Sequence, residues 1–175
     1  MNIKQIYQKL HEFVVAATSY DASKVIFANQ ISNARPAKPF ITISASSFRN
    51  VGMPIEKKVT GAGTMRTLIS MVFNASFQAF SDVNHEAEEV LNDLQAKFTT
   101  ELPSEIFQGQ MAPLRTIKHV SAIPTAMNEQ IESRAILERE IGFIKLVEQQ
   151  VGFIENVEME ANIDKHKIDL QIKYN

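Results

Sequence analysis

The sequence predicts an α+β fold: a mainly antiparallel β-sheet with long β-hairpins and two principal α-helices packed on one side. Residues 65–80 alternate apolar and polar side chains over sixteen positions, as an extended strand with one face on a core does. A second long extended run lies between Glu132 and Val147. Residues 2–18 and 83–102 repeat apolar side chains every three or four positions, which is helical spacing. The 175 residues fit one domain, 1–175, with a substantial core.

The first half of the chain is predicted as helix, short strand, strand and hairpin. The helix over residues 2–18 is followed by a turn and a short strand at 24–28. Two prolines keep residues 33–39 out of a helix, since each restrains its own φ and the residue before it. A strand resumes at 40–51, and residues 56–60 then pair with the long strand. We expect the glycines of Gly61-Ala62-Gly63 to give the hairpin tip its backbone freedom.

The second half is predicted as helix followed by strands. Ser81 or Asp82 is expected to cap the second helix, whose apolar side begins at Val83, and Pro103 is expected to end it. Residues 104–113 are predicted as a loop or a short helical turn. The predicted strands that follow cover residues 114–123, 132–147, 151–159 and 168–174.

The long strand at 65–80 is the feature that says most about which class of function the protein has. Sixteen extended residues reach roughly 50 Å at ~3.3 Å each, whereas the helix candidates reach only ~25–30 Å at ~1.5 Å per residue. The strand therefore either bends or is covered by another chain. The second possibility predicts a protein that works by assembly rather than by catalysis.

Composition indicates an unexported, soluble domain. The chain has no cysteine, which excludes disulfides and thiolate metal sites. It shows no apolar signal segment at its start and no apolar run long enough for a membrane helix. Residues 1–80 hold nine Lys/Arg against three Asp/Glu (+6) and residues 81–175 hold nine against seventeen (−8), which sum to the net −2. Such asymmetry can mark surfaces that meet other charged surfaces, but ordinary solvated faces of the helices and strands are the more common explanation.

Motifs for metal, phosphate or catalysis are incomplete. The stretch His85-Glu86-Ala87-Glu88-Glu89 has a glutamate where a zinc-protease helix needs its second histidine. Gly61-x-Gly63 lacks the third glycine of a nucleotide fingerprint and precedes a strand rather than a helix. The carboxylate pairs Glu138/Glu140 and Glu158/Glu160 each share a strand face, which is more typical of solvated charges than of acid–base catalysis. We therefore expect no catalytic residue, no metal and no cofactor.

Five short phrases, in order along the chain, carry a resemblance to a known family. The sequence resembles the tailed-bacteriophage neck or tail terminator family, which comprises small head–tail joining, tail-completion proteins, over about residues 5–160. The phrases are structural rather than catalytic: Ala28-Asn29-Gln30, Pro36-Ala37-Lys38-Pro39-Phe40-Ile41-Thr42-Ile43, Phe77-Gln78-Ala79-Phe80, Glu132-x-Arg134-Ala135 and Val151-Gly152-x-Ile154-Glu155-x-Val157.

The resemblance implies a structural virion protein without enzymatic activity or cofactor. Its α+β protomer would form a ring, commonly a hexamer, that caps the tail tube and joins it to the head–neck complex. The implied partners are further copies of the chain, the tail tube protein, and neck or head-completion proteins. Genomic DNA would pass through the lumen without sequence readout. The protein would be assembled in the host cytoplasm and reside in the tail or neck of the virion, with no membrane partner.

The long strands supply a hypothesis for the ring interface. Residues 56–75 and 131–150 are predicted to form arms that pack on neighbouring protomers. The candidate interface residues are Lys57, Lys58, Gly61, Gly63, Arg66, Arg134, Arg139 and Phe143. The acidic surplus after residue 80 is predicted to face the channel in part, since an acidic lumen repels phosphates and lets DNA slide. The candidates for that lining are Glu138, Glu140 and Glu148.

Three alternatives stay open at this point. The first is another virion component, such as a head-completion or tail-tube-associated protein. The second is a small α+β enzyme with an unrecognised carboxylate site, which predicts a deep polar pocket within one protomer. The third is a nonspecific nucleic-acid binder with affinity that falls steeply with salt. Its basic candidates are Arg35, Lys38, Arg49, Lys57, Lys58 and Arg66.

Overall fold

The computed structural model of the protein describes residues 1–28, 35–60, 63–123, 126–127, 130–151, 157–163 and 166–172. The elements are α1 (Ile3–Thr18), β1 (Val25–Phe27), β2 (Phe40–Asn50), β3 (Glu56–Val59), β4 (Thr64–Ser81), α2 (Glu86–Lys97), α3 (Leu102–Phe107), β5 (Met111–Ala122), β6 (Ala126–Met127), β7 (Gln130–Ile131), β8 (Ser133–Gln150), β9 (Val157–Ile163) and β10 (His166–Ile172). The mixed sheet and the helices confirm the predicted α+β fold.

The main sheet is built around two very long strands. Its order is β1-β2-β4-β8-β5, and β3 pairs with β4 beyond the end of β2. Strands β4 and β8 pair antiparallel over their full lengths, from Thr64 opposite Gln150 to Ser81 opposite Ser133. All pairings in this sheet are antiparallel except that of β1 with β2. The alternating patterns at 65–80 and 132–147 therefore predicted the two central strands to within a few residues.

The three helices lie on one face of this sheet and bury its odd-numbered β4 and β8 side chains. Helix α1 begins with a capping box, in which Asn2 Oδ1 accepts from the backbone N–H of Gln5 at 2.9 Å. Phe13 of α1 lies 4.4 Å from Phe98 and 5.4 Å from Phe107, ring centroid to centroid. Phe77 of β4 lies 5.7 Å from Phe98. These rings join α1, β4, the end of α2 and α3 in one core.

The predicted limits of the second helix were wrong at both ends. Neither Ser81 nor Asp82 is its cap; α2 begins after His85, which makes no side-chain cap hydrogen bond. Val83, predicted on the apolar side, is 62% exposed. The helix ends at Lys97, and Pro103 stands in the first turn of α3, where its missing N–H has no intrahelical partner to lose. Because Phe98 is buried and Leu102 packs against the same core, the apolar spacing continued across the break between the two helices.

A bulge in β2 redirects the side chains after it. The register with β4 shifts between Ser46 and Arg49, and Ser47 takes a left-handed conformation with φ 54°. Phe48 consequently stacks on core residue Phe73 at 5.2 Å. Arg49 consequently points to the opposite face of the sheet, where it meets Glu140.

The C-terminal strands form a separate pair. Strands β9 and β10 are antiparallel, from Ile163 opposite His166 to Val157 opposite Ile172. Two strands were predicted here, at 151–159 and 168–174. Of those ranges, residues 152–156 and 173–174 lie outside the described residues.

Candidate assembly surface

Past the helices, the sheet continues as a narrow three-stranded projection, which we call the β-arm. It consists of β3, residues 64–71 of β4 and residues 144–150 of β8. Every residue of β3 and every residue from 144 to 150 is exposed. Residues 133–143 of the same strand, in contrast, are buried or half-buried. Because neighbouring strand residues point to opposite faces, unbroken exposure means that the outer strands of the β-arm meet solvent on both faces.

The β-arm exposes apolar side chains on both of these faces. Ile144 and Leu146 are each 46% exposed on the face opposite the helices. Val147 lies on the other face, and Val59 on β3 is half-exposed. Apolar side chains grouped on a projection are typical of a surface that another chain covers. The geometry therefore supports a docking role for the β-arm.

Four of the predicted interface residues meet in the β-arm. Lys57 and Lys58 lie on β3, and Lys58 is directly opposite Arg66 on β4. Arg66 Nε donates to Glu148 Oε1 at 2.8 Å. Gly63 closes the hairpin with φ 74°, and its N–H donates to the Thr60 carbonyl at 2.9 Å. Gly61, which was also predicted here, lies outside the described residues.

The other predicted interface residues lie elsewhere. Phe143 is in the core at the base of the β-arm and only 6% exposed. Arg134 lies at the far end of the sheet, where its guanidinium sits 5.0 Å from the centre of the Phe80 ring. Its Nη2 donates to Gln78 Oε1 at 2.7 Å. The sequence predicted that the candidates on each long strand lie in one interface. Because β4 and β8 are each eighteen residues long, residues on the same strand lie far apart in the fold.

Arg139 is a buried cation at an odd-numbered position of β8, among the apolar side chains that face the core. It is 9% exposed, its guanidinium lies 4.7 Å from the centre of the Phe98 ring, and Nη1 donates to Thr116 Oγ1 at 3.3 Å. Its Nε has no hydrogen-bond partner, and no carboxylate of the described residues pairs with it. Burial lowers the pKa of Arg139, because desolvation disfavours the charged form. The ring face and Thr116 compensate part of that cost.

The three predicted lining carboxylates share one face of β8, the face opposite the helices. Glu138, Glu140 and Glu148 are separated by even numbers of residues along the strand. Glu140 pairs with Arg49 and accepts from Arg115 Nε at 3.1 Å. Glu148 pairs with Arg66. Two of the three carboxylates, Glu140 and Glu148, are thus paired with arginines. Sequence alone showed the common face but not these partners.

Opposing influences act on the pKa of Glu140. Burial would raise the pKa of its carboxyl, but the hydrogen bond from Arg49 and the charges of Arg115 and Arg49 outweigh burial, so the pKa is lowered. A carboxylate with a lowered pKa stabilises the folded state above its ordinary pKa of 4.5, and that contribution disappears as the pH falls through the folded-state value.

We therefore expect Glu140→Gln to flatten the acid side of the stability profile. The wild-type protein should lose free energy of unfolding more steeply than the variant as the pH falls below 4.5. Urea unfolding at a series of pH values measures this difference. Glu148→Gln is the matched control, because its ion pair with Arg66 is about half exposed and contributes little. Parallel profiles for wild type and Glu140→Gln would contradict the assignment.

A groove lies where α1 meets the base of the β-arm. Its volume is about 670 Å³ and most of its lining side chains are apolar. It therefore differs from the deep polar pocket that an enzyme with a carboxylate site predicts. Among the described residues, no three His, Asp or Glu side chains are grouped as metal ligands. The helices of the described ranges include none with the length and apolar character to cross a membrane.

The fold and its surfaces define the class of protein, an α+β domain whose central sheet projects past the helices as an exposed β-arm. The chain belongs to the phage neck terminator protein family, whose model matches residues 4–167 of the 175. The predicted resemblance is thereby confirmed. The family is one of structural proteins of the phage neck, so the chain is a virion protein that interacts with other neck or tail proteins. A comparison with curated proteins found no match.

Proposed function

We propose that this neck protein forms a closed ring, a hexamer by resemblance to its family, that caps the tail tube and joins it to the head–neck complex. The observation that carries the proposal is the β-arm, whose outer strands are exposed on both faces with apolar side chains on each. A protomer in isolation leaves these side chains in water. A neighbouring copy that covers them gains the free energy of their burial.

The position of the β-arm favours a ring over a two-fold dimer. The arm extends from one end of the sheet, and in this proposal it packs on a different surface of the neighbour. Contacts between two different surfaces of identical subunits are heterologous, and they produce a ring when the rotation closes. Arg139 and Phe143 are buried, so in this proposal they support the base of the β-arm from within the protomer instead of meeting the neighbour.

Glu138 and Glu140, on the part of β8 that precedes the β-arm, are proposed to line the channel, whereas Glu148 lies in the β-arm on the face where Ile144 and Leu146 are proposed to meet the neighbour. The two arginine partners of Glu140 make this lining one of paired opposite charges rather than a continuous acidic surface. Closely paired opposite charges give DNA phosphates little net attraction, so the genome passes without being held or read. A channel with a continuous basic lining in the assembled ring would contradict this part of the proposal.

Electron microscopy of the purified protein, together with its mass in solution, tests the ring. The expected result is closed rings of one size, with a mass that is an integer multiple of the protomer. A protein that stays monomeric at high concentration would overturn the proposal. The copy number and position of the protein in purified virions distinguish a terminator ring above the tail tube from another head-completion or tail-tube-associated protein.

A further inference from the structure

The groove at the base of the β-arm has an apolar floor open to solvent. Phe48, Met71 and Phe143 contribute from the helix-covered face of the sheet, and the lining continues along β8 to Lys145 and Leu146. Residues Met1, Asn2, Ile3, Gln5 and Ile6 contribute from the start of α1. Ile3 on its edge is 59% exposed, whereas Ile6, one turn later in the helix, is a core residue. Nothing in the described part of the protomer fills this volume of about 670 Å³.

The surroundings of the groove are electropositive. Lys145 is one of its lining residues, and Lys4 is exposed in the adjoining first turn of α1. That turn contains no acidic residue. The groove also lies at the N-terminal end of α1, where the helix macrodipole adds about half a positive charge. An apolar segment flanked by acidic side chains is the ligand that these features favour.

Such a segment lies in the turn between β4 and α2, at residues 82–85. Val83 projects from it and is 62% exposed. The Ser81 hydroxyl stabilises the turn with two hydrogen bonds. It accepts from the Val83 N–H at 3.0 Å and donates to the Glu86 carboxylate. His85 closes it in a left-handed conformation with φ 63°, a strained state for a residue with a side chain. The exposed valine is thus presented from a fixed backbone, and we call residues 82–85 the Val83 turn.

The charge around the Val83 turn is opposite to that of the groove. Asp82, beside Val83, has a side chain that is 74% exposed. The first turn of α2 adds Glu86, Glu88 and Glu89. Lys38 pairs with Asp82 and His85 with Glu88, but the remaining carboxylates keep the surface acidic. Complementary charges of this kind set orientation and speed association.

The Val83 turn and the groove lie at different levels of the long strands. The groove is at the level of the pair Met71–Phe143, and the Val83 turn follows the last pair, Ser81–Ser133. Ten residues of extended strand separate the two levels, roughly 33 Å at ~3.3 Å per residue. A protomer therefore does not fill its own groove. Two complementary surfaces far apart on one chain are what a heterologous contact between copies needs.

We propose that the Val83 turn of one copy docks in the groove of the next copy around the ring. This inference rests on the proposed ring and specifies its contact. Leu146 and Lys145 belong to both the groove and the β-arm, so docking here is continuous with the surface that the β-arm offers. The apolar side chain of Val83 enters the groove, and the acidic residues around it face Lys145 and Lys4.

Thiol crosslinking between two singly substituted proteins tests the contact, because the natural chain contains no cysteine. Ile3→Cys and Val83→Cys are both at exposed positions. When they are mixed and treated with a short bifunctional thiol reagent, we expect a covalent dimer containing one copy of each. The double variant should give a ladder that ends at the ring size. Val83→Cys mixed with Ile117→Cys, an exposed site on β5, is the matched control and should give no such covalent dimer.

A charge at Val83 provides the second measurement. Val83→Asp should weaken ring association roughly tenfold to a hundredfold, the factor expected for losing one buried valine from the contact. The protomer should keep its thermal stability, since Val83 is exposed within it. Rings of Val83→Asp that form with wild-type affinity would overturn this inference and leave the ring itself standing. Intact rings of the Ile3→Cys and Val83→Cys proteins that give no crosslink would do the same. Absence of any oligomer in the wild-type protein would overturn both.

Discussion

The double variant Ile144→Lys/Val147→Lys is expected to remain a folded monomer and to form no ring. The two residues lie on opposite faces of the β-arm and are both exposed in the protomer. Lysine in their place stays hydrated in the monomer, so the fold loses little. In the proposed ring, however, each ammonium would be buried against a neighbour without a partner, which costs several kcal/mol per ion. Association should therefore fall by several orders of magnitude.

Two measurements separate loss of assembly from loss of folding. Analytical ultracentrifugation reports the ring, and thermal unfolding monitored by circular dichroism reports the protomer. Ile117→Lys is the matched control, because Ile117 is comparably exposed but lies on β5, away from the β-arm. Virions assembled with the double variant should lack finished tails. Rings of wild-type stability from the double variant would show that the β-arm is not the interface.

The two central strands were predictable because alternation is a local signal. Each of β4 and β8 has a core on one face for much of its length, so the period of two is written directly in the sequence. The hairpin of β3 and β4 was predictable from its glycines for the same reason. The limits of α2 were not, because Phe98 and Leu102 continue the helical spacing through a break in the backbone. Residues that pack on one core keep the same apolar spacing in the sequence whether or not the helix between them is continuous.

The candidate assembly surface was predictable as a region but not in its contacts. Strand length alone indicated a β-arm that outruns its helices. The pairing of Arg49 with Glu140 depends on the bulge at Ser47 and on contact between residues 91 positions apart. Neither is a local property of the sequence. The parallel pairing of β1 with β2 could not be predicted from the sequence either, because a strand of three residues carries no pattern that specifies the direction of its partner.

The Val83 turn shows how a wrong prediction arises at a functional surface. Val83 fitted the apolar stripe of a helix that was expected to begin three residues earlier than it does. The structure places it in water, held there by Ser81 and the strained His85. Val83 has the sequence spacing of a core residue but is exposed in the fold, so the local pattern and the tertiary structure disagree at this position. Such conflicts are expected where a surface is kept for binding.

The variant Phe13→Ala is expected to lower the free energy of unfolding by about 3–5 kcal/mol. Phe13 is fully buried, and its ring contacts Phe98 and Phe107, so its removal leaves a cavity shared by α1, α3 and the end of α2. The surrounding elements are tied to the sheet and cannot close around the missing ring. Urea unfolding of the variant and the wild type under conditions where both are monomeric measures the difference.

Phe13→Leu is the control for Phe13→Ala, since it keeps most of the apolar volume and should cost markedly less. A difference below about 1 kcal/mol between Phe13→Ala and wild type would mean that the aromatic core is looser than its ring distances indicate. The comparison with the β-arm variant is also informative. Phe13→Ala should lose the ring only to the extent that it loses the fold, whereas Ile144→Lys/Val147→Lys should lose the ring and keep the fold. That separation is what a protomer with an independent core and a projecting β-arm requires.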